Sequence, residues 1–165
     1  ENPIEFHGTY PLPEAQLDRF LVRLAIGYPA AEVEIDILKS HAQREPLEQI
    51  EPVMDLDQVR RIQEEASGVH VDESIFEYIV EIVHATRHDN RLELGVSTRG
   101  TLMLSRAARA RAFALDRDFV IPDDVSWVIP HVLPHRLLLT AKTQHSGVTA
   151  QQVAAEILGR IKVPV

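Results

Sequence analysis

Arg99 is the residue whose position most plainly asks for a chemical reason. Ser97 is a favourable helix N-cap, and the Ala-, Leu- and Arg-rich run behind it predicts a helix over 98–116, with Arg99 in its first turn. The start of a helix carries partial positive charge, so a cation is disfavoured there and Asp or Glu is the usual occupant. An arginine gains from that place when an anion is held there as well, because backbone N–H groups, helix dipole and guanidinium then converge on it. Two readings follow: an arginine that senses a phosphate, or a solvated one paired with a nearby carboxylate. Helix-end charge effects of about 0.3–1 kcal/mol are too small to choose between them.

The other constellations are weaker. Gly95-Val96-Ser97-Thr98-Arg99 approaches the G-x-S-x-G nucleophile elbow, but Arg99 stands where the second Gly belongs and no apolar strand is read ahead of it, which argues against a serine hydrolase. His84 and His88 lie one helical turn apart, a spacing that can bind zinc. Ala85 stands where a metallopeptidase needs Glu, and two histidines leave a zinc site incomplete, so a surface pair is favoured and no metal site is expected. His131 and His135 share the spacing, with Pro134 breaking the turn between them. Arg99, Arg106 and Arg109, with Arg111 and Arg117 nearby, suggest a basic stripe. With 25 acidic residues in the chain, a solvated face bridged to carboxylates is favoured over a nucleic-acid surface. The phosphate-cradling P-loop needs Gly-Lys, and the lysines here follow Leu38, Ala141 and Ile161.

These residues must be held by elements that the sequence also outlines. Pro3, Gly8, Pro11 and Pro13 punctuate a loop over residues 1–20, with a short helical turn from Glu14 to Phe20. Phe20–Ile26 is a mostly apolar run closed by Gly27-Tyr28-Pro29, which predicts a buried strand; a strand alone lacks ladder partners, so most of its sheet is read as missing. Helical periodicity follows. Residues 31–44 carry Val33, Ile37 and Leu38 on one face; 56–67 start at Asp55 with Gln58 in capping-box spacing; 73–88 start at Asp72 with a stripe of Ile75, Phe76, Ile79, Val80 and Val83. Pro122-Asp123-Asp124 opens a helix that Pro130 and Pro134 interrupt, and Thr149 opens a last one to about 161. Residues 137–148 are ambiguous, with a short strand at Leu137–Leu139 as one option.

The bulk properties set limits. The chain has 165 residues, 45% of them apolar and only 5% aromatic, so a folded core must rest on Leu, Ile, Val and Ala, which suits helix packing. A formal charge of −8 opposes sequence-independent nucleic-acid binding. There is no Cys, hence no disulfide or thiolate metal site. No apolar run reaches membrane-span length and no signal peptide is seen, so a cytoplasmic location with no membrane partner is expected.

The opening Asn2-Pro3-Ile4-Glu5-Phe6-His7-Gly8-Thr9-Tyr10-Pro11-Leu12-Pro13-Glu14-Ala15-Gln16-Leu17-Asp18-Arg19-Phe20 closely resembles the MoxR family of AAA+ ATPases. Gly27-Tyr28-Pro29, Ala85-Thr86-Arg87, Leu94-Gly95-Val96-Ser97-Thr98-Arg99, Pro122-Asp123-Asp124-Val125 and Val132-Leu133-Pro134-His135-Arg136 recur in that family in this order. The resemblance implies a mainly α fold: residues 1–28 as the last loop, short helix and strand of an α/β P-loop ATPase core, and residues 29–165 as a helical lid. It implies that Asn2 resembles the sensor 1 residue, Arg19 the arginine finger offered to a neighbour's ATP, and Arg99 the sensor 2 residue that also contacts the nucleotide; Arg23 is a weaker finger candidate. Thr98 and Gly100 depart from the commoner Pro and Ala, and Glu1 stands where Gln is frequent.

The same resemblance implies ATP and Mg²⁺ as ligands of an intact parent, self-association into a ring, most commonly a hexamer, a chaperone role on client proteins, and a partner carrying a von Willebrand A domain. Beginning Glu1-Asn2-Pro3 without Met, the chain reads as a trimmed fragment lacking the Walker A lysine and Walker B acids, and is expected to bind no nucleotide and be inactive alone. Residues 1–28, without their sheet, are expected to be disordered or packed unlike the family. The alternative function is a free-standing helical protein-interaction module.

Overall fold

The computed structural model describes residues 12–41, 47 and 50–164. In chain order its elements are α1 (Glu14–Leu17), α2 (Ala31–His41), α3 (Leu56–Gly68), α4 (Glu73–Arg87), β1 (Leu92–Leu94), α5 (Thr98–Ala114), α6 (Pro122–Val132), a 3₁₀ turn (Pro134–Arg136), β2 (Leu138–Leu139), α7 (Ala141–His145) and α8 (Ala150–Leu158). They divide into two units: Leu24–Glu64 is one, and Glu1–Arg23 with Glu65–Val165 is the other.

The helices begin where short-range chemistry allows. Asp72 Oδ1 accepts from Ser74 N at the head of α4, Ser97 Oγ from Gly100 N at the head of α5, and Thr140 Oγ1 from Thr143 N at the head of α7. Asp55 with Gln58, and Thr149 with Gln152, form reciprocal capping boxes for α3 and α8. Helix α5 ends through Asp116, whose φ of 54° is in the left-handed region that Asp tolerates, and Arg117 N then reaches back to Ala112 O.

The core lies in the larger unit. Helix α4 buries Ile75, Tyr78, Ile79, Ile82, Val83 and Thr86, whereas Phe76 and Val80 are exposed. The buried row therefore follows 75, 78, 79, 82 and 83, one step round from the expected stripe, because Tyr78 and Ile82 complete the face that Ile75 begins. Helix α5 turns Leu104, Ala107, Ala108 and Ala112 inward, and these small side chains let α6 approach with Val125, Val128, Ile129 and Val132. From α8 come Val153, Ala154 and Ile157. Each large aliphatic so buried contributes about 1.5–3 kcal/mol.

Several expectations are corrected. Residues 20–26 form no strand: Phe20, Leu24 and Ile26 are exposed, and Arg23 N donates instead to His131 O (2.9 Å). A single strand with no ladder partner leaves its backbone unsatisfied, so the backbone has found other acceptors. A short strand does precede Gly95: β1 pairs antiparallel with β2, Leu92 opposite Leu139 and Leu94 opposite Leu138. Its three residues are too few to show an alternation in the sequence. Pro130 lies inside α6 without ending it, since a proline in the last turn removes only one late N–H bond. In the smaller unit α2 forms as expected, but Val33, Ile37 and Leu38 are all exposed.

Candidate functional site

The site grows from the junction between the end of α4 and the start of α5. Thr86, buried in the last turn of α4, donates to Val83 O (2.6 Å) and accepts from Val96 N (3.0 Å), while Arg87 Nε donates to Val96 O (2.8 Å). Gly95 makes this junction sterically feasible: a Cβ there would come within 2.8 Å of the backbone of Thr86 and Arg87. The head of α5, and with it Ser97 and Arg99, is thereby pinned to α4.

Asp18 meets that helix head. Ser97 Oγ donates to both carboxylate oxygens (3.0 and 2.9 Å) while accepting from Gly100 N. Arg99 Nη1 stands 4.0 Å from Asp18 Oδ2, a loose pair, with 52% of the Arg99 side chain exposed. Arg136 Nε lies 3.3 Å from Asp18 Oδ1; this is an ion-pair distance, and its direction does not meet hydrogen-bond geometry. The carboxylate thus supplies an anion at the start of α5, where the dipole favours one.

Arg136 is the interior member, its side chain only 1% exposed. Its terminal nitrogens donate to the carbonyls of Asp18 (3.2 Å), Phe20, Leu21 (3.3 Å) and Val132, and face His135 Nε2 at 2.5 Å. Burial draws the Arg136 guanidinium below the ordinary arginine pKa, with the Asp18 carboxylate opposing that shift. His135, whose Nε2 is also 3.2 Å from Phe20 O, is pushed below the ordinary histidine value, first by burial and then by the positive charge of Arg136 and Arg23. Gly100 gives the arginine room: a Cβ there would meet Val96 Cγ1 at 2.5 Å and Arg136 Cδ at 3.0 Å.

A second carboxylate node stands on α6. Asp124, fully buried, accepts from Arg111 Nη1 (2.5 Å), Arg117 Nη1 and Nη2 (2.7 and 2.6 Å) and Ile121 N (3.0 Å). Burial alone would raise its pKa, but Arg117, the Ile121 N–H and Arg111 outweigh it and hold the carboxyl below the usual range. Arg111 also stacks over Trp127 at 4.9 Å.

Of the residues singled out by sequence, Arg99 is brought to Asp18, and Arg19 lies beside it in the same unit. The Arg19 side chain is exposed and makes no hydrogen bond or ion pair among the described residues. Asn2 lies outside the described residues. A strand does lead into Gly95, and Ser97 Oγ is engaged as a cap and by Asp18, with no histidine bonded to it among the described residues. The rings of His84 and His88 lie 6.3 Å apart, and His131 packs against Trp127 instead of pairing with His135. Among the described residues no three His, Asp or Glu side chains are gathered to hold a metal ion. The basic stripe is divided: Arg111 and Arg117 go to Asp124, and Arg109 to Ser67 O (2.9 Å). Sequence reading missed Asp18, Thr86 and Arg136 as functional positions. The available signal was an arginine set among apolar residues in Leu133-Pro134-His135-Arg136-Leu137, which needs either solvent or buried acceptors.

Comparison with known proteins bears on the family and the fold. Residues 84–157 match the AAA lid domain family, and residues 1–22 match the ATPase family associated with various cellular activities (AAA). The chain is 46% identical over its full length to the Bacillus subtilis protein YeaC, covering 52% of that protein. It is 37% identical over 99% of its length to chaperone MoxR1 of Mycobacterium tuberculosis, covering 45% of it. The protein MoxR of Methylorubrum extorquens is 29% identical over 84% of the chain, with 46% of that protein covered. A crystal structure of an ATPase candidate from Cytophaga hutchinsonii superposes with a TM-score of 0.90 at 32% identity, over the whole chain and 53% of that structure. The chain spans about half the length of the curated relatives it matches. Its lid fold, the order of its motifs and these likenesses together match the C-terminal region of the MoxR family of AAA+ ATPases.

Proposed function

We propose that this chain is the lid and sensor region of a MoxR-type ATPase, acting within a longer polypeptide that assembles into a ring and remodels client proteins. In that reading residues 1–28 belong to the ATPase core and 29–165 to the lid. The observation that carries it is the state of Arg99. It sits at the head of a 17-residue helix, half exposed, and is held by Asp18 only at 4.0 Å. Such a guanidinium can leave one anion for another at little cost, because exposed ion pairs contribute only about 0–1 kcal/mol. The donor set fits a phosphate: one delocalised cation beside the first N–H groups of a helix.

The substrate in this reading is ATP, with Mg²⁺ held by Walker residues outside this chain. Bound Mg²⁺ neutralises charge on the phosphate oxygens. Arg99 would bind the phosphates in its own subunit as sensor 2. Arg19, exposed beside Asp18, would reach the phosphates bound by the neighbouring subunit, and Asn2 would orient water as sensor 1. Guanidinium groups fixed where negative charge develops lower the barrier because they stabilise the transition state more than the ground state. The chaperone name of one relative, MoxR1, supports the chaperone role, and a partner carrying a von Willebrand A domain is carried over from the family resemblance alone.

The test is turnover of the full-length protein carrying Arg99→Ala or Arg19→Ala. Each is expected to cut turnover sharply, since an arginine finger can contribute a factor of about 10³–10⁵. Near-normal hydrolysis in either variant overturns the role given to that residue. Calorimetric titration of the 165-residue chain with ATP and Mg²⁺ is expected to show no saturable binding; micromolar binding would contradict the division of labour proposed here.

A further inference from the structure

The segment that carries Arg19 has almost nothing of its own to hold it. Helix α1 buries no residue, and Phe20, Leu21 and Val22 are all exposed. Apolar packing therefore does not fix its position. Its ties are polar: Ser97 Oγ holds the Asp18 side chain, and the backbone itself is held chiefly by one other side chain. Arg136 donates to the carbonyls of Asp18, Phe20 and Leu21, which are the residues just before and just after Arg19, and it lies 3.3 Å from the Asp18 carboxylate. Two lesser ties come from the same stretch: His131 O accepts from Arg23 N, and His135 Nε2 lies 3.2 Å from Phe20 O.

A buried cation ordinarily gathers carboxylates, since an unpaired charge away from water is costly. Arg136 has one carboxylate nearby and otherwise faces neutral carbonyls. Five N–H donors in a rigid plane can grip several carbonyls at once, which the single ammonium of lysine cannot reproduce. We propose that Arg136 is a positioning residue for Arg19: it clamps the backbone on both sides of that residue to the 3₁₀ turn after α6, so that the exposed guanidinium is presented at a set place to a second copy of the protein. This inference rests on the reading of Arg19 as a residue that acts on a neighbour's ATP. Arg136 itself touches no substrate.

The experiment uses the full-length protein with Arg19→Ala, Arg136→Met, Arg136→Lys and the double variant Arg19→Ala/Arg136→Met. Steady-state hydrolysis is measured together with hydrogen exchange of the amides over residues 19–23. Misplacing a catalytic group by about 1 Å can cost roughly 10²-fold in rate. Arg136→Met is accordingly expected to lower kcat by about that factor with KM for ATP within about twofold, to speed exchange in 19–23, and to add nothing further in the double variant. Lysine is expected not to rescue the rate, and it serves as the test if the methionine variant does not fold.

An Arg136 variant that keeps kcat within about twofold of wild type while Arg19→Ala is impaired overturns the clamp alone. A double variant that loses the product of the two single effects also overturns it, because Arg136 would then act independently of Arg19. If Arg19→Ala itself retains normal turnover, the functional reading falls and the inference with it.

Discussion

Two aspartates in the larger unit each meet a helix N-terminus and two arginines, and they differ in nearly everything else. Asp124 is wholly buried, and all its contacts from Arg111, Arg117 and Ile121 N are 3.0 Å or shorter. Asp18 keeps 22% of its side chain exposed; its partners are Ser97 at 2.9 Å, Arg136 at 3.3 Å and Arg99 at 4.0 Å. The first is a closed node, in which charge, cap and stacking partner are mutually satisfied. The second is an open node, with one buried arginine gripping backbone and one exposed arginine only loosely engaged. A node with short, dry contacts serves the fold, since any exchange of partner would strand a charge. A node with a long, wet contact can exchange its anion.

Stability measurements can break this contrast most directly at the closed node. Asp124→Ala removes the carboxylate that Arg111 and Arg117 share and the acceptor of Ile121 N. A loss of about 3 kcal/mol in unfolding free energy is expected by chemical denaturation, the low end for breaking a buried pair because both arginines keep about a fifth of their side chains exposed and can rehydrate. A loss below about 1 kcal/mol would remove the distinction between the two nodes.

The nodes should also separate along the pH axis. Asp124 has a folded pKa below its unfolded one, so its contribution is fully present above the unfolded value of about 3.9 and is lost as pH falls through the lower folded value. His135, at the open node, is likewise depressed, here by burial. The unfolded chain takes up its proton first, so stability is full above about 6.5 and declines as pH falls below that. Denaturation midpoints measured from pH 8 to pH 3 should therefore show two declines. His135→Asn should flatten the upper one and leave the lower one in place; an unchanged profile in that variant would contradict the assignment.

The smallest stability effect is expected at Arg99. Its pair with Asp18 is half exposed and long, so Arg99→Ala should change unfolding free energy by less than about 0.5 kcal/mol while, in the full-length protein, turnover falls sharply. A large stability loss would mean that Arg99 belongs to the fold and not to the exchangeable arm.

Much of the fold was legible because it is written locally. Asp55, Asp72, Ser97 and Thr149 stand where their side chains can accept from an N–H two or three residues on, and that geometry needs no tertiary information. The family was legible for a similar reason: the run from Asn2 to Phe20 and the motif around Gly95 to Arg99 are contiguous in sequence. The smaller unit shows the limit. The apolar period of α2 was read correctly as a helix, yet its face is exposed, because periodicity states which side is apolar and not what, if anything, covers it. The stripe of α4 was misplaced by one step for the same cause, Phe76 being exposed and Tyr78 buried.

By itself, then, the sequence determined where helices start, that an arginine stands at the head of α5 against its dipole, and which family shares these motifs. Tertiary structure alone decided that Asp18 is the anion at that head, that residues 20–23 are held by carbonyl contacts instead of joining a ladder, and that Arg136 lies under both. The physical reason is separation along the chain. Caps and periods act over three or four residues, whereas Asp18 and Arg136 are 118 residues apart and meet only when α5, α6 and the 3₁₀ turn have packed.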